Sequence, residues 1–477
     1  MSLFGSSVSV DTPASEYKIV EVLLDADRKF KLKSGSKSIS QPVNLQAMTG
    51  EVNMFEDLMK GYVTAKIVVL DDLALLTEMV ELQGTETVKI SIAGVETGAQ
   101  SNRFSIEMKV VSIVKQVKTQ DRASVFVINA ISKHAYNDAA VKVSRSYTGQ
   151  LEDIAEKVLD TYLDVKVMRD KDYFAKGEES SQGRVKVVLP YISPLESVEW
   201  LMERATGDEG SPYFAWQTLW DQYASGQDVV RFGTFKTMLV QGIMEAATNE
   251  NRQFVYSIGA VNKHPSAKGQ RKIITGFEQN NRENTLSMIN QGTVGSNISN
   301  LDTYTTQKIQ RHFSLEDYLN QLKRAIGANA KNLLGTAYDE KHKLTIEDNK
   351  DTAASFDARY RNLITSYGTY EWENSYHDVY DQTLLTNKVK KSAVMSMIYK
   401  NVLDVTVSGY NVMEEQLSPG DVVKFNFDTQ NVDDDGSSAF KYDERTSGFY
   451  LILATRNMFN GSKHRSILSC AKVADLP

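Results

Sequence analysis

Cysteine is almost missing from this chain. Cys470 stands alone among 477 residues, so no internal disulfide framework can form and the fold must hold by packing and hydrogen bonding. That thiol lies in the apolar stretch SILSC, which reads as a buried strand, and thiols are often buried as small hydrophobes. Also missing is any run of about 18 apolar residues, so no integral membrane segment is expected. The opening MSLFGSSVSVDTPASE lacks a basic region followed by an apolar block and does not read as a secretory signal. Its Ser/Thr content fits a loose arm over residues 1–16, with ordering against a neighbouring subunit as the functional alternative. Positive charge is not in surplus either. Lys+Arg number 54 against 61 Asp+Glu, a net charge of −7, which gives no general attraction to nucleic acid or anionic membrane.

The signatures of common catalytic sites are absent too. His134, His264, His312, His342, His377 and His464 never pair with another His or Cys at metal-ligand spacing. There is no HExxH, GxSxG, GxxxxGK[ST] or GxGxxG. Each histidine therefore reads as structural or surface, and replacing any one with alanine is expected to leave assembly intact. Asp433, Asp434 and Asp435 could offer oxygen ligands to calcium, but the spacing of an EF-hand loop is missing and a solvated loop is the plainer reading. Glu56 with Asp57, or Asp71 with Asp72, could be imagined as a glycosidase pair. They read instead as helix-start and turn acids. The basic stretches KVKK (388–391), KGQRK (268–272) and DRKFKLK (26–32) read as solvated faces, the alternative being charge along a channel that passes DNA. No catalytic, cofactor-binding or metal-ligating residue is assigned.

What is present is ordinary globular composition, 41% hydrophobic and 24% charged, in a chain long enough for about three or four units. Residues 17–146 read as a strand-rich domain. Val63, Ala65, Ile67 and Val69 share one face of a period-two pattern, as do Phe104, Ile106, Met108 and Val110, and Phe126, Ile128 and Ala130. DDLALLTEMVEL between them has helical spacing, with Asp71 or Asp72 as its cap. Residues 147–235 read as an α+β unit. One helix follows Thr148, taken as its cap, and another spans SPLESVEWLMERATG, with a Ser193–Glu196 capping box, Pro194 in the first turn and Gly207 as its stop. The aromatic run YFAWQTLW reads as a strand.

Residues 236–312 are polar, with 13 Asn or Gln between Asn249 and Asn300, and read as a strand-containing connector able to keep a wet interface. Residues 313–383 read as a helical, tyrosine-rich insertion that could present a partner-binding face. Residues 384–477 read as a helix, LLTNKVKKSAVMSMIYKN, followed by strands in VLDVTVSG, DVVKFNF, GFYLILAT and RSILSCAKV. The expected class is α+β, with two small strand-rich barrels, each with a helix, flanking helix-containing material.

Several stretches, in order, carry a resemblance. FEDLMKGYVTAKIVVLDDLALLTEMVELQGTETVKISI, SPLESVEWLMERATG with its aromatic strand, KVKKSAVMSMIYKNVLDVTVSGYNVMEEQLSPGDVVKFNF and SGFYLILATRNMFNGSKHRSILSCAKVAD together resemble the baseplate hub proteins of contractile-tailed bacteriophages. The resemblance implies two tube-like β-barrel domains per chain, at 17–146 and 384–477. It further implies a homotrimer whose six barrels join a threefold spike below to a sixfold tail tube or tube initiator above. Baseplate wedge proteins would lie outside and DNA would pass through the lumen. It implies a structural role in the virion tail, assembled in the host cytoplasm, with no cofactor. The stretch 314–383 is longer than a minimal hub needs. The hub portion of a secretion-system spike is a relative of the same lineage, in which the chain continues into further spike domains; here it stops seven residues after Cys470, which favours a separate spike partner. A tail-associated cell-wall hydrolase is the alternative of a different class.

Overall fold

The computed structural model describes residues 15–25, 42–72, 76, 84–94, 103–118, 124–169, 185–207, 210–221, 226–256, 272–281, 290, 292–293, 295–302, 308–326, 333, 359–365, 382–428, 442–443, 446–461 and 463–476. The protein is mostly β-sheet with helices packed around it, an α+β arrangement. Strands β1 (Ser15–Asp25), β2 (Val43–Asn44), β3 (Thr49–Asp57), β4 (Thr64–Asp71), β5 (Thr87–Gly94), β6 (Arg103–Lys118) and β7 (Ser124–Ser132) come first. Helix α1 (Lys133–Asp138), β8 (Ser146–Gly149), α2 (Leu151–Leu163), β9 (Lys166–Arg169), β10 (Val185–Val188), α3 (Pro194–Arg204), β11 (Tyr213–Trp216) and β12 (Val229–Thr234) follow. Next come α4 (Phe235–Thr248), β13 (Gln253–Tyr256), β14 (Ile274–Asn281), β15 (Gly295–Asp302), β16 (Lys308–Ser314), α5 (Leu315–Ile326) and β17 (Arg359–Thr365). The chain closes with α6 (Gln382–Ile398), β18 (Asn401–Ser408), α7 (Gly409–Glu414), β19 (Val422–Phe427), β20 (Gly448–Asn460) and β21 (Lys463–Ala474).

The period-two strands bury the faces their patterns mark. Ala65, Ile67 and Val69 meet Phe104, Ile106 and Met108, Phe126 and Ile128 in one core. β20 is different: its run GFYLILA is apolar on both faces because both are covered. Tyr450 and Ile452 enter a second core with Val405, Phe425, Leu468 and Cys470. Phe449, Leu451 and Leu453 face the opposite way, onto α4 and α6. Farther along, Phe459 enters the first core. One strand thus serves three cores.

Pairing explains how. β20 and β21 form a long antiparallel hairpin that reverses between Asn460 and Lys463, with Gly461 at φ +62. The near half of β20 pairs with β19, from Gly448 to Leu451, and the far half with β3, from Ala454 to Asn460. A bulge in the hairpin between Ile452 and Ala454 marks the changeover, and bulges bend and twist a strand locally. β21 divides in the same way, pairing with β18 over Arg465–Ala471 and with β1 at Lys463 and His464. Two pairing circuits result. The first runs β3–β4–β7–β6–β5–β1–β21–β20 and returns to β3. The second runs β19–β20–β21–β18–β14 and closes through β13 by the Val255–Ile273 bridge. The hairpin is the wall they share.

The material between the circuits is layered on them. α2 and α3 pack on the sheet of β9, β12 and β11. Tyr213 of β11 points into that layer, whereas Phe214 and Trp216 point into the core of α4, α5 and α6. The Ser193–Glu196 capping box and Pro194 open α3. It ends at Arg204, with Ala205 already extended, before the expected stop at Gly207. Thr148 does not cap α2: it lies in β8, paired with Lys186, and the cap position is Gln150. α4 was not expected. Thr234 caps it through the Thr237 N–H, and Gly242 sits mid-helix because a Cβ there would lie 2.5 Å from Val422 Cγ2. On α6, Val389, Ala393, Val394, Met397 and Ile398 are buried, the face the spacing predicts. Within 313–383, α5 is the expected helix, whereas β17 is a strand in parallel register with β15 in the tyrosine-rich part read as an insertion. The proposed helix at DDLALLTEMVEL lies outside the described residues except Asp71, Asp72 and Leu76; the Leu76 N–H donates to the Asp71 carboxylate at 3.1 Å. Asp433–Asp435 and the basic stretch 26–32 also lie outside them.

Candidate functional site at the module junction

A connected set of buried polar groups lies where the two circuits meet the inserted α+β unit. At the end of β3, the side chain of Glu56 is turned into the interior. One carboxylate oxygen accepts from the Leu219 N–H at 2.9 Å and the other from the Thr455 hydroxyl on β20. Burial pushes its pKa up from 4.5 to about 7, opposed by those two hydrogen bonds and by the Arg231 charge. Glu56 and its neighbour Asp57 are therefore strand residues, correcting the helix-start reading. With both oxygens occupied and almost no exposure, Glu56 is a structural acid that joins three segments: β3, the shared hairpin and the helical turn that begins at Leu219 after β11.

Beside it, Asp221 receives a two-pronged contact from Arg231 of β12, Nε at 2.6 Å and Nη2 at 2.8 Å, and a third bond from Thr218 Oγ1 at 2.9 Å. Such forked pairs hold direction as well as charge. They stiffen the turn that presents Leu219 to Glu56.

A second network lies one strand over. Gln217 Oε1 accepts from the Val63 N–H at 3.0 Å and is bonded to Ser132 at the end of β7. Gln217 Nε2 donates to Asp228 at 3.2 Å. Asp228 also meets His134 Nδ1 at 3.0 Å, and His134 Nε2 donates to the Gly61 carbonyl at 2.7 Å. His134 is buried in this chain of contacts, which ties the start of β4 and the end of β7 to β12. His464 is buried as well. It stacks on Phe459 at 4.2 Å and bonds Asn457, and burial pushes its pKa down to about 3. The expectation that any histidine is dispensable therefore changes for these two. His312 is exposed, and His264, His342 and His377 lie outside the described residues.

A third set anchors α4 to the second circuit. The side-chain amides of Asn249 and Asn251 bond the two carboxylate oxygens of Glu415 at 2.7 and 2.8 Å. Arg252 lies between Glu245 at 3.1 Å and Asp421 at 3.3 Å. Asp421 closes the turn begun by Ser418, where Gly420 adopts φ +95. These asparagines were expected in a wet, surface-rich connector, and they act as internal clamps. The basic stretch 388–391 also differs from a solvated face: Lys391 Nζ bonds the Met202 carbonyl near the end of α3, and Lys390 lies 6.0 Å from the Tyr318 ring. Of 268–272, Lys272 is described; it pairs with Glu250 at 3.4 Å.

The chemistry of the junction is cohesion. Its acids and bases satisfy one another across module boundaries. Thr455, Gln217 and Asp228 were not singled out in the sequence, and Glu56 was read there only as a helix-start or turn acid. The one local signal was the polar pair Gln217–Thr218 inside the aromatic run YFAWQTLW, since buried polar residues are kept where they are bonded. Cys470 is buried, and burial together with the Asp404 charge pushes its thiol well above the ordinary range.

No family model matches the chain, and no curated protein matches it. Among solved structures the chain is similar to the tail protein from Neisseria meningitidis MC58, with 10% identity, 96% of each chain covered and a TM-score of 0.48. It is also similar to the 43 kDa tail protein of prophage MuSo2 from Shewanella oneidensis. That identity is 10%, coverage is 96% of this chain and 100% of the other, and the TM-score is 0.46. A third is the E. coli c3393 protein, a component of the type VI secretion system that exhibits structural similarity to the T4 bacteriophage tail proteins gp27 and gp5. It is 10% identical, over 94% of this chain and 79% of the other, with a TM-score of 0.39.

Proposed function

We propose that this chain is a structural baseplate hub of a contractile phage tail. Three copies form a ring that joins a threefold spike to a sixfold tail tube and leaves a channel for DNA. The observation that carries the reading is the pair of strand circuits built on one shared hairpin. Each circuit is read as a tube-like barrel, residues 17–146 with the hairpin tip forming the first and residues 384–477 with β13 and β14 the second. A closed ring must match its neighbours operator for operator. Two barrels per chain turn a threefold ring into a rim of six similar units, which is what a junction of unequal symmetries requires.

The junction chemistry supports a mechanical role. Glu56 and the His134–Asp228–Gln217 network lock the inserted unit (147–235) to the first circuit and the shared hairpin, and Asn249, Asn251 and Arg252 after α4 bond Glu415 and Asp421 of the second, so the two barrels would move as one body when the tail contracts. The net charge of −7 fits a lumen that lets DNA pass without gripping it. The insertion 313–383 is read as decoration of the outer rim toward wedge proteins.

Electron microscopy of the purified protein tests this. The expected result is class averages of a threefold ring with six lobes around an open centre. A monomer, or a ring of any other symmetry, overturns it.

A further inference from the structure

Asn460 is followed by Gly461, the one Asn–Gly pair in the sequence. The pair sits at the tip of the hairpin that both circuits share. Asn460 is the last paired residue of β20, opposite Lys463 on β21 and Glu51 on β3, and it is exposed. Gly461 lies beyond the ladder in the turn, also exposed, at φ +62. Glycine takes that conformation without steric cost. A Cβ built on it would meet nothing within 4 Å, so the space beside its backbone is open. Asn53 and Asn457, on the same two strands, differ in both respects: each is buried and each is followed by methionine.

We propose that Asn460 is a site of spontaneous covalent modification, deamidation through a cyclic imide formed with Gly461. Asparagine is a thermolabile residue, and here its neighbour carries no side chain to shield the attacking nitrogen. The Gly461 amide nitrogen gives its proton to hydroxide and attacks the Asn460 side-chain carbonyl carbon. A C–N bond forms, the bond from Cγ to Nδ2 breaks, and the amide group takes a proton from water and leaves as ammonia. Ring closure turns the Asn460 backbone about the bond that leads out of the ladder into the turn. Water then opens the imide at either carbonyl. Breaking the bond from Cγ to nitrogen leaves aspartate, and breaking the backbone bond leaves isoaspartate. Nothing is oxidised or reduced, and water is the one co-reactant.

The place of the pair gives the reaction its consequence. Asn460 pairs with Glu51 of β3, while Lys463 and His464 pair with Glu16 and Ser15 of β1, so the first circuit closes at this tip. Across the strands one row reads Glu51–Asn460–Lys463–Glu16. Residues directly opposite share a face and interact. The aspartate product sets a carboxylate between Glu51 and Lys463, one unfavourable neighbour and one favourable. The isoaspartate product also lengthens the backbone by a carbon. The hairpin end then loses register with β3, with β21 or with both, and the closure of the first circuit loosens.

The test incubates the folded full chain in mildly acid and mildly alkaline buffer, beside the same chain in denaturant. Trypsin releases the peptide from Asn457 to Lys463, and its fragment ions separate a change at Asn460 from one at Asn457. In the folded chain the Asn460 amide is expected to be lost, faster in alkali, with Asn53 and Asn457 unchanged. Hydroxylamine present during incubation should cleave the chain between Asn460 and Gly461, which reports the imide. Asn460→Gln, whose longer side chain closes the ring poorly, should stay unconverted and uncleaved. After ageing, the products are separated by chromatography. The isoaspartate fraction is expected to melt at a lower temperature than the unconverted protein, and Asn460→Asp to match the aspartate fraction. Conversion confined to the denatured chain overturns the proposal, as does loss of the amide with no hydroxylamine cleavage. An isoaspartate fraction with an unshifted midpoint overturns the effect on closure and leaves the modification site standing.

Discussion

The Glu56 carboxylate accepts the Leu219 N–H at 2.9 Å across 163 positions of sequence. Its other oxygen reaches Thr455, 399 positions away. One side chain thereby joins the start of the chain, its middle and its closing hairpin, and it does so without exposure to water. A buried acid with two fixed donors has a definite pH signature.

Burial raises the Glu56 pKa from 4.5 to about 7, so the folded protein holds this proton more tightly than the unfolded chain. Its contribution to stability is therefore full below about pH 4.5 and is lost as pH rises through about 7. The span corresponds to about 3 kcal/mol. Glu56→Gln keeps an acceptor for Leu219 and removes the titration. Thermal midpoints measured from pH 5 to 8 are expected to fall with rising pH more steeply in the unsubstituted protein than in Glu56→Gln. Parallel curves would remove Glu56 from the pH dependence.

The second prediction concerns His134 and Asp228, which meet at 3.0 Å inside the junction. His134→Ala leaves the Gly61 carbonyl and one Asp228 oxygen without this partner in a buried place. An unsatisfied buried group costs about 1–3 kcal/mol, more when it is charged. His312→Ala, at an exposed position, should change stability by about 0.5 kcal/mol or less. Denaturant midpoints of the two variants side by side provide the check, and equal midpoints would mean that the junction does not depend on His134.

Much of the framework was legible in the sequence because period-two alternation reports a strand with one buried face. Val63 to Val69, Phe104 to Val110 and Phe126 to Ala130 all bury the faces they mark. The Ser193–Glu196 box was legible because its chemistry is local. α4 escaped although Phe235, Met238, Leu239, Ile243 and Ala246 are spaced for a helix, because Gly242 in its middle reads as a breaker. That glycine answers to Val422, 180 positions on, through a contact no local pattern encodes. The same holds for the junction. Gln217 and Asp228 look ordinary until folding brings Val63, Ser132 and His134 to them. The double use of β20 was hidden for another reason: a continuous apolar run reports two covered faces but not which core covers each.

The last prediction follows from a contact without room. Gly409 opens α7 directly against His464, and a Cβ at that position would lie 2.0 Å from the ring Nδ1. The ring cannot yield freely, since it stacks on Phe459 at 4.2 Å and faces Tyr17 edge-on at 6.3 Å. Gly409→Ala must therefore displace the imidazole or lift α7 from β21, and overpacking of this kind costs about 1–3 kcal/mol. His464→Ala alone also destabilises, by losing the stacked ring from a closed core. Combined, the two changes should cost less than their sum, because the methyl occupies space the imidazole has left, and residues in contact couple in this way. Denaturant midpoints of both single variants and the double variant decide it. Strict additivity would mean that α7 does not rest on His464.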